Sequence, residues 1–414
     1  MTSPRDPLAP DATVLIVGAG LGGLRTAESL RDRGFAGPIT LVGAENHLPY
    51  DRPPLTKQFL AGQWDEARVG LADAPTLAER GLTLLAGRRA ASLDVATRRV
   101  TLEDGAELLG DAVVLATGAT PRWLPGTEGA PGVHVIRTLA QSAALRDELA
   151  ALGGAGSVVV VGAGFIGAEV ASTAAAAGLD VTILEALEVP LSPVVGVEVG
   201  GWLTELHRRA GVEVRTGVTI ERLDPREPTS RPAVVLVGGE RLEADAVVVG
   251  IGVVPATSWL EGSGLELDNG VVCDASLFAA DGVAVVGDLA RFEWHHAGGV
   301  EQVRIEHWEV TTQLAKHAAT ALLAGRDAAP RVELVPYFWS DQHGRKLQML
   351  GRPSGTDDAT LVAGSLDEAK FTFLYHRAGR VTGVLGLASP RQVMQCRAAV
   401  DQGAPIGEVT ATFA

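Results

Sequence analysis

The sequence predicts an α/β protein that carries one nucleotide-binding unit twice and ends in a smaller α+β region. Three observations lead there. VLIVGAGLGGLRTA at 14–27 returns 144 residues later as VVVVGAGFIGAEVA at 158–171. Each copy runs on through a helical stretch into a second apolar run, ITLVG in one case and DVTILE in the other. Near the C-terminal end, KLQMLGRP, ATLVAGSL, KFTFLYHR and RVTGVLGL are short alternating runs separated by turns, the pattern of an antiparallel sheet.

In the first copy, apolar residues lead into Gly18-x-Gly20-x-x-Gly23, with Gly22 beside the last glycine, and LRTAESLRDRGF follows as an amphipathic helix. In the second, SVVVV leads into Gly162-x-Gly164-x-x-Gly167, with Phe165 and Ile166 between the glycines, and a helix expected to run to about Gly178. The first glycine of such a motif makes the turn, the second lets backbone approach a pyrophosphate, and the third lets helix pack on strand. The diphosphate then rests on the helix N-terminus, where unpaired N–H groups and the dipole favour an anion. Each unit also places an acidic residue at the end of its next strand, Glu45 and Glu185, suited to accept hydrogen bonds from ribose hydroxyls. EALEVP, which contains Glu185, supplies no arginine for a 2′-phosphate, so the second site is expected to prefer NADH. Two Rossmann-like sites in one chain imply two dinucleotides that react with each other, and FAD with NADH is the common pairing.

Further along, VVLATGATPR (113–122) and VVVGIGVVPA (247–256) are apolar strands broken by a Gly-containing turn and a proline, reading as two crossovers with the second unit inserted between them. GVAVVGDLAR ends a third strand at Gly287-Asp288. An aspartate there either accepts hydrogen bonds from a flavin's ribityl chain or caps the following segment.

Composition narrows the alternatives. A net charge of −15 disfavours nonspecific binding to nucleic acid or anionic membrane. The imbalance is uneven: residues 331–414 hold 9 Lys and Arg against 8 Asp and Glu, while the first 330 hold 26 against 42, so the C-terminal region would better tolerate an acidic partner. No apolar stretch approaches the ~20 residues of a membrane span, and MTSPRDPLAPDA lacks a signal's apolar core, so a cytoplasmic protein is expected. Cys273 and Cys396 form no CxxC or CxxxxC pair, which argues for buried thiols and against a disulfide framework or dithiol redox centre; no metal site is expected.

The order GxGxxG, ATG, GxGxxG, GxGxxP, GD resembles the glutathione-reductase-like two-dinucleotide flavoproteins over nearly the whole chain. Most branches of that superfamily keep a cysteine beside the flavin, and this sequence has none there. In its place LPYDRPPLTKQFL (48–60), with RIEHWE (304–309) and PYFWSDQ (336–342), resembles the NADH-dependent ferredoxin reductases of bacterial cytochrome P450 and ring-hydroxylating oxygenase systems. Thr56 stands where that family usually has serine. The resemblance implies FAD as cofactor, NADH as co-substrate, and a [2Fe–2S] ferredoxin as partner that feeds a P450 or an aromatic-ring dioxygenase.

Residue by residue, the resemblance places Lys57 close to the reactive side of the flavin, paired with Glu169, and makes these two the catalytic candidates. Pro53-Pro54 read as a stiff, extended lead into the next helix that holds Arg52 and Lys57 in place. It further implies cofactor contacts at Ala90, at Thr117 and Gly118 of the ATG turn, at Arg137 of VIRTLAQ, at Gly252, and at Glu306, Trp308 and Trp339. Two departures stand out: family members often carry an acidic residue one position before Glu45, where this chain has Ala44, and LASPRQVMQCRAAVDQG matches few individual residues.

The expected organisation is an FAD domain formed by 1–121 and 252–328, an inserted NADH domain at 122–251, and a C-terminal α+β domain at 329–414 after the linker GRDAAPRVE. The chain would be a monomer or homodimer. Two other readings remain: a diaphorase-like NADH oxidoreductase acting on oxygen, a quinone or another small acceptor, marked by oxygen turnover without ferredoxin stimulation, and a redox-dependent binding protein, marked by a persistent NADH charge-transfer complex. Fold alone does not separate these.

Overall fold

The computed structural model describes residues 6 to 413. Two compact units result: one joins the segment ending at Asp51 to Gly70–Thr120 and Val254–Pro336, and the other joins Arg52–Val69, Pro121–Val253 and the segment from Tyr337 onward.

In the first unit, strand β1 (Val14–Val17), helix α1 (Leu21–Asp32) and strand β2 (Ile39–Val42) are the first copy of the repeat. The six-stranded sheet runs Phe278–Ala280, Val283–Val285, Ala112–Leu115, β1, β2, Leu82–Leu85. Every pairing in it is parallel except the first. A parallel sheet covered on both faces needs unbroken apolar strands, and VLIV supplies one that is buried throughout. Helix Trp308–Ala324 packs along α1, where Gly22 makes room for it: a Cβ there would stand 3.3 Å from Thr311 Cγ2 and 3.3 Å from Val286 Cγ2.

In the second unit, β3 (Ser157–Val161), α2 (Phe165–Ala176) and β4 (Asp180–Leu184) repeat the arrangement. Its parallel sheet runs Glu213–Arg215, β4, β3, Ala246–Val249, Val133–His134. The C-terminal strands form a five-stranded antiparallel sheet that opens on β5 (Tyr337–Gln342) and β6 (Arg345–Gly351) and continues through Arg380–Leu387, Lys370–Arg377 and Asp358–Ser365. FWSDQ is thus a strand of that sheet, beside the four recognised from alternation.

Within this unit, residues of 122–251 and residues from 337 onward share a core. Val195, Val199 and Leu203 of the helix Ser192–Arg209 pack with Phe338, Phe371, Phe373 and Leu385 of the sheet, and the buried Tyr375 hydroxyl donates to the Val195 carbonyl at 2.7 Å.

One local expectation is corrected. Pro53-Pro54 do not run extended; they open a 3-10 helix, Pro53–Thr56, with Arg52 already in the right-handed helical region. Proline's fixed φ suits the first helical positions, where its missing N–H has no intrahelical acceptor.

Both cysteines are buried and unlinked. Burial pushes the Cys396 thiol up to about 11 and Cys273 higher still. Among the described residues, no helix is long and apolar enough to cross a membrane.

Candidate functional site

The two glycine turns are built alike. Gly18 has φ +114° and Gly162 φ +96°, where a side chain would be strained. A Cβ on Gly18 would overlap the Ala116 carbonyl, and one on Gly162 would stand 2.6 Å from the Gly250 carbonyl oxygen. Gly23 and Gly167 press against the carbonyls of Gly18 and Gly162, so a Cβ on either would collide with backbone. The middle glycines are different. Nothing lies within 4 Å of a Cβ on Gly20, and only the Gly250 carbonyl, at 3.9 Å, near one on Gly164. These two are also the N-caps of α1 and α2, with no side chain capping the helix. Open space over an uncapped helix N-terminus is what a diphosphate needs, so the residues present fit a dinucleotide at each turn.

The acidic residues beyond the second strands are fastened differently. Glu185 directly follows β4, and its carboxylate accepts from the backbone N–H of Ala163 at 2.7 Å, inside the glycine turn, and of Leu187 at 2.9 Å. Glu45 lies three residues past β2 and accepts from the Tyr50 hydroxyl at 2.5 Å.

Elsewhere in the first unit, the Thr117 hydroxyl donates to the Ala256 carbonyl at 3.1 Å and Ala256 N–H donates to the Gly118 carbonyl at 2.9 Å, which fixes the ATG turn. Asp288 lies inside the 3-10 turn Gly287–Leu289, so it is not the cap of that turn, a position held by Val286. Its carbonyl accepts from Arg304 at 3.1 Å, and the same guanidinium pairs with Glu306 at 2.5 Å, tying RIEHWE to GD. Trp308 opens the long helix, and its indole N–H donates to Asp51 at 2.6 Å. Ala90 is buried at the start of the strand Ala90–Asp94.

In the second unit, the PPLTK segment is pinned to two helices. The Ser142 hydroxyl donates to the Leu55 carbonyl at 2.6 Å, the Thr173 hydroxyl of α2 to the Thr56 carbonyl at 2.7 Å, and Arg52 to the Arg137 carbonyl. Arg137 N–H in turn donates to Gln141 at 3.1 Å, beside the capping box of the helix Leu139–Ala151. So held, Lys57 places its ammonium 2.6 Å from Glu169 Oε2, 3.0 Å from the Pro53 carbonyl and 3.2 Å from the Thr56 hydroxyl.

Glu169 is 4% exposed. Besides Lys57 it receives the Thr56 hydroxyl at 2.7 Å on Oε2, and the Ser340 hydroxyl at 2.8 Å and the Asp341 N–H at 3.2 Å on Oε1. The carboxylate thus joins PPLTK, α2 and β5, and its burial is offset by four donors. Trp339, also on β5, stacks beside Tyr337 with Lys346 5.9 Å over its ring. Phe165 meets Phe338 with centroids 4.7 Å apart, Ile166 is exposed, and Gly252 turns with φ +93°.

The pair Lys57 and Glu169 is therefore brought together. The other groups that hold Glu169, from Thr56, Ser340 and Asp341, lie in PPLTK and FWSDQ, and nothing in those stretches marks them as its donors.

Residues 12–315 match the pyridine nucleotide-disulphide oxidoreductase family, and residues 337–412 match the reductase C-terminal family. Rhodocoxin reductase of Rhodococcus erythropolis is 37% identical over 391 residues, covering 93% of this chain and 88% of that relative. The ferredoxin–NAD(+) reductase subunit of the benzene 1,2-dioxygenase system of Pseudomonas putida is 34% identical, covering 91% and 90%. The crystal structure of a covalent putidaredoxin reductase–putidaredoxin complex superposes with a TM-score of 0.89 at 33% identity, covering 97% of this chain and 98% of that one. With two glycine cradles on two βαβ units and relatives of this kind over almost its full length, the chain belongs to the pyridine nucleotide-disulphide oxidoreductases and, within them, to the ferredoxin reductases.

Proposed function

We propose that this protein is an FAD-dependent NADH:ferredoxin reductase that serves a cytochrome P450 or ring-hydroxylating oxygenase in the cytoplasm. The observation that carries the reading is the second glycine cradle opening directly into α2, which bears Glu169 with Lys57 on its carboxylate. In this reading the first cradle holds FAD, with Gly20 against the diphosphate, Glu45 toward the adenosine ribose and Asp288 toward the ribityl chain. The second cradle holds NADH, with Gly164 against its diphosphate and Glu185 on the ribose, where a 2′-phosphate would be repelled.

Bound FAD supplies hydride acceptance and one-electron release, which is why no thiol is needed. The protein's part is orientation and charge. Lys57 keeps a cation in the site, Glu169 fixes where it stands, and the four donors around Glu169 keep that carboxylate from turning. The names of the relatives, rhodocoxin, benzene dioxygenase and putidaredoxin reductases, support a [2Fe–2S] ferredoxin as acceptor, as does the balanced charge of residues 331–414.

The test is NADH-dependent cytochrome c reduction with and without an added [2Fe–2S] ferredoxin. Strong stimulation by the ferredoxin is expected. Rapid turnover with oxygen that no ferredoxin stimulates would favour an oxidase instead.

A further inference from the structure

Beyond the donors already named, the second unit contains an unbroken run of side-chain hydrogen bonds that ends on Glu169. His343, in the turn between β5 and β6, has Nε2 2.9 Å from His207 Nδ1. His207, on the helix Ser192–Arg209, has Nε2 3.2 Å from Gln342 Oε1. Gln342 Nε2 lies 3.1 Å from the Ser340 hydroxyl, and that hydroxyl lies 2.8 Å from Glu169 Oε1. His207, Gln342 and Ser340 are all buried. His343 itself is anchored by its N–H to the Ser172 hydroxyl at 2.7 Å, on the same helix as Glu169.

The direction of every bond follows from the far end. A carboxylate paired with lysine only accepts, so Ser340 must donate to it. Ser340 then accepts from the Gln342 amide, which turns the Gln342 carbonyl toward His207. Its Nε2 must therefore carry a proton, and in a neutral ring Nδ1 is left as acceptor, so His343 donates from Nε2. One charge at Glu169 thus sets an amide orientation and two histidine tautomers.

We propose that His343, His207 and Gln342 are positioning residues for hydride transfer: together they lock the Ser340 hydroxyl onto Glu169 and so hold the Lys57 ammonium in place. The proposal rests on the reading that Lys57 acts in the reaction. Gln342 cannot pass a proton onward without changing its amide, so the run is a strut and not a proton wire. A strut of this kind is rigid because every buried member is satisfied, and losing one frees the next to rotate.

Two measurements on the FAD-loaded protein test this. The first reads tautomers and not activity: ring ¹⁵N–¹H correlation spectra at neutral pH should show His207 and His343 as neutral Nε2–H forms, assigned by loss of each signal in His207→Gln and His343→Gln. A charged His207, or one protonated at Nδ1, overturns the proposal.

The second is a stopped-flow cycle of flavin reduction by NADH using Gln342→Leu, Lys57→Met and the double variant. Gln342→Leu should slow hydride transfer by roughly tenfold in the wild-type background, well within what small misplacements cost, and should add nothing once Lys57 is methionine. A silent Gln342→Leu, or one equally damaging in both backgrounds, overturns the strut while leaving the role of Lys57 standing. A silent Lys57→Met overturns that role and the strut with it. Should Gln342→Leu not fold, His207→Leu against His207→Gln repeats the comparison, since glutamine can still accept and donate at this position and should restore the rate.

Discussion

Lys57 Nζ lies 2.6 Å from Glu169 Oε2, and the two residues are 112 positions apart. Their side chains are 12% and 4% exposed, so both charges have left bulk water and each depends on the other.

Removing one partner should therefore cost far more than removing both. Glu169→Ala leaves the ammonium without its counter-ion, with only the Pro53 carbonyl and the Thr56 hydroxyl to accept from it, and takes the carboxylate from the Thr56 and Ser340 hydroxyls and the Asp341 N–H; it should lower unfolding free energy by about 3–5 kcal/mol. Replacing the pair by Lys57→Met with Glu169→Leu should recover part of that loss. Urea denaturation of the three proteins checks the order. A double variant no more stable than Glu169→Ala would mean that the isolated charge is not the cause.

The glycine turns separate folding from ligand binding. Gly23→Ala and Gly167→Ala place a methyl group against backbone carbonyls and should lower the thermal midpoint of the flavin-free protein. Gly20→Ala and Gly164→Ala meet almost nothing, so that midpoint should stay near wild type. Their effect should fall on binding: Gly20→Ala should purify with little FAD, and Gly164→Ala should keep its FAD but raise KM for NADH roughly tenfold, about 1.4 kcal/mol. Flavin content, thermal midpoint and KM together check all four. A cofactor-replete Gly20→Ala would remove the diphosphate from that turn.

What could be read in the sequence was what is local or repeated. The strand, turn and helix of each unit lie within some twenty residues, so spacing alone shows them, and the second copy repeats the first. The Lys57 and Glu169 pair spans two distant segments and could be named only because LPYDRPPLTKQFL resembles a family in which such a pair occurs. Ser340 and Asp341 reach the same carboxylate from 171 and 172 positions away, and nothing in FWSDQ marks a serine as a donor to a distant glutamate. Pro53-Pro54 misled for a different reason. Fixed φ values near −65° fit both an extended lead and the first turn of a helix, and the hydrogen bond from Lys57 N–H to the Pro54 carbonyl, at 3.0 Å, decides for the helix. His207 gave no signal at all, since its neighbours His343 and Gln342 come from a strand end more than 130 positions on.

Burial of His207 has a consequence for acid stability that can be worked out in sign. Loss of hydration, and secondarily the neighbouring His343, push its pKa down to about 4, against a hydrogen bond to Gln342 that pulls the other way. An unfolded histidine titrates near 6.5. Between those values the unfolded chain binds a proton that the folded one refuses, so stability rises with pH across the window. The contribution is complete above the unfolded value and is lost as pH falls toward the folded one, about 3 kcal/mol in all. His343, lowered by its own burial, adds to the same slope. His207→Gln keeps a donor and an acceptor but cannot titrate, so its unfolding free energy should fall less steeply from neutral pH to the acid end of that window, while the carboxylates common to both proteins cancel in the comparison. Parallel curves for wild type and variant, measured by urea denaturation across the window, would show that His207 takes up its proton as readily folded as unfolded.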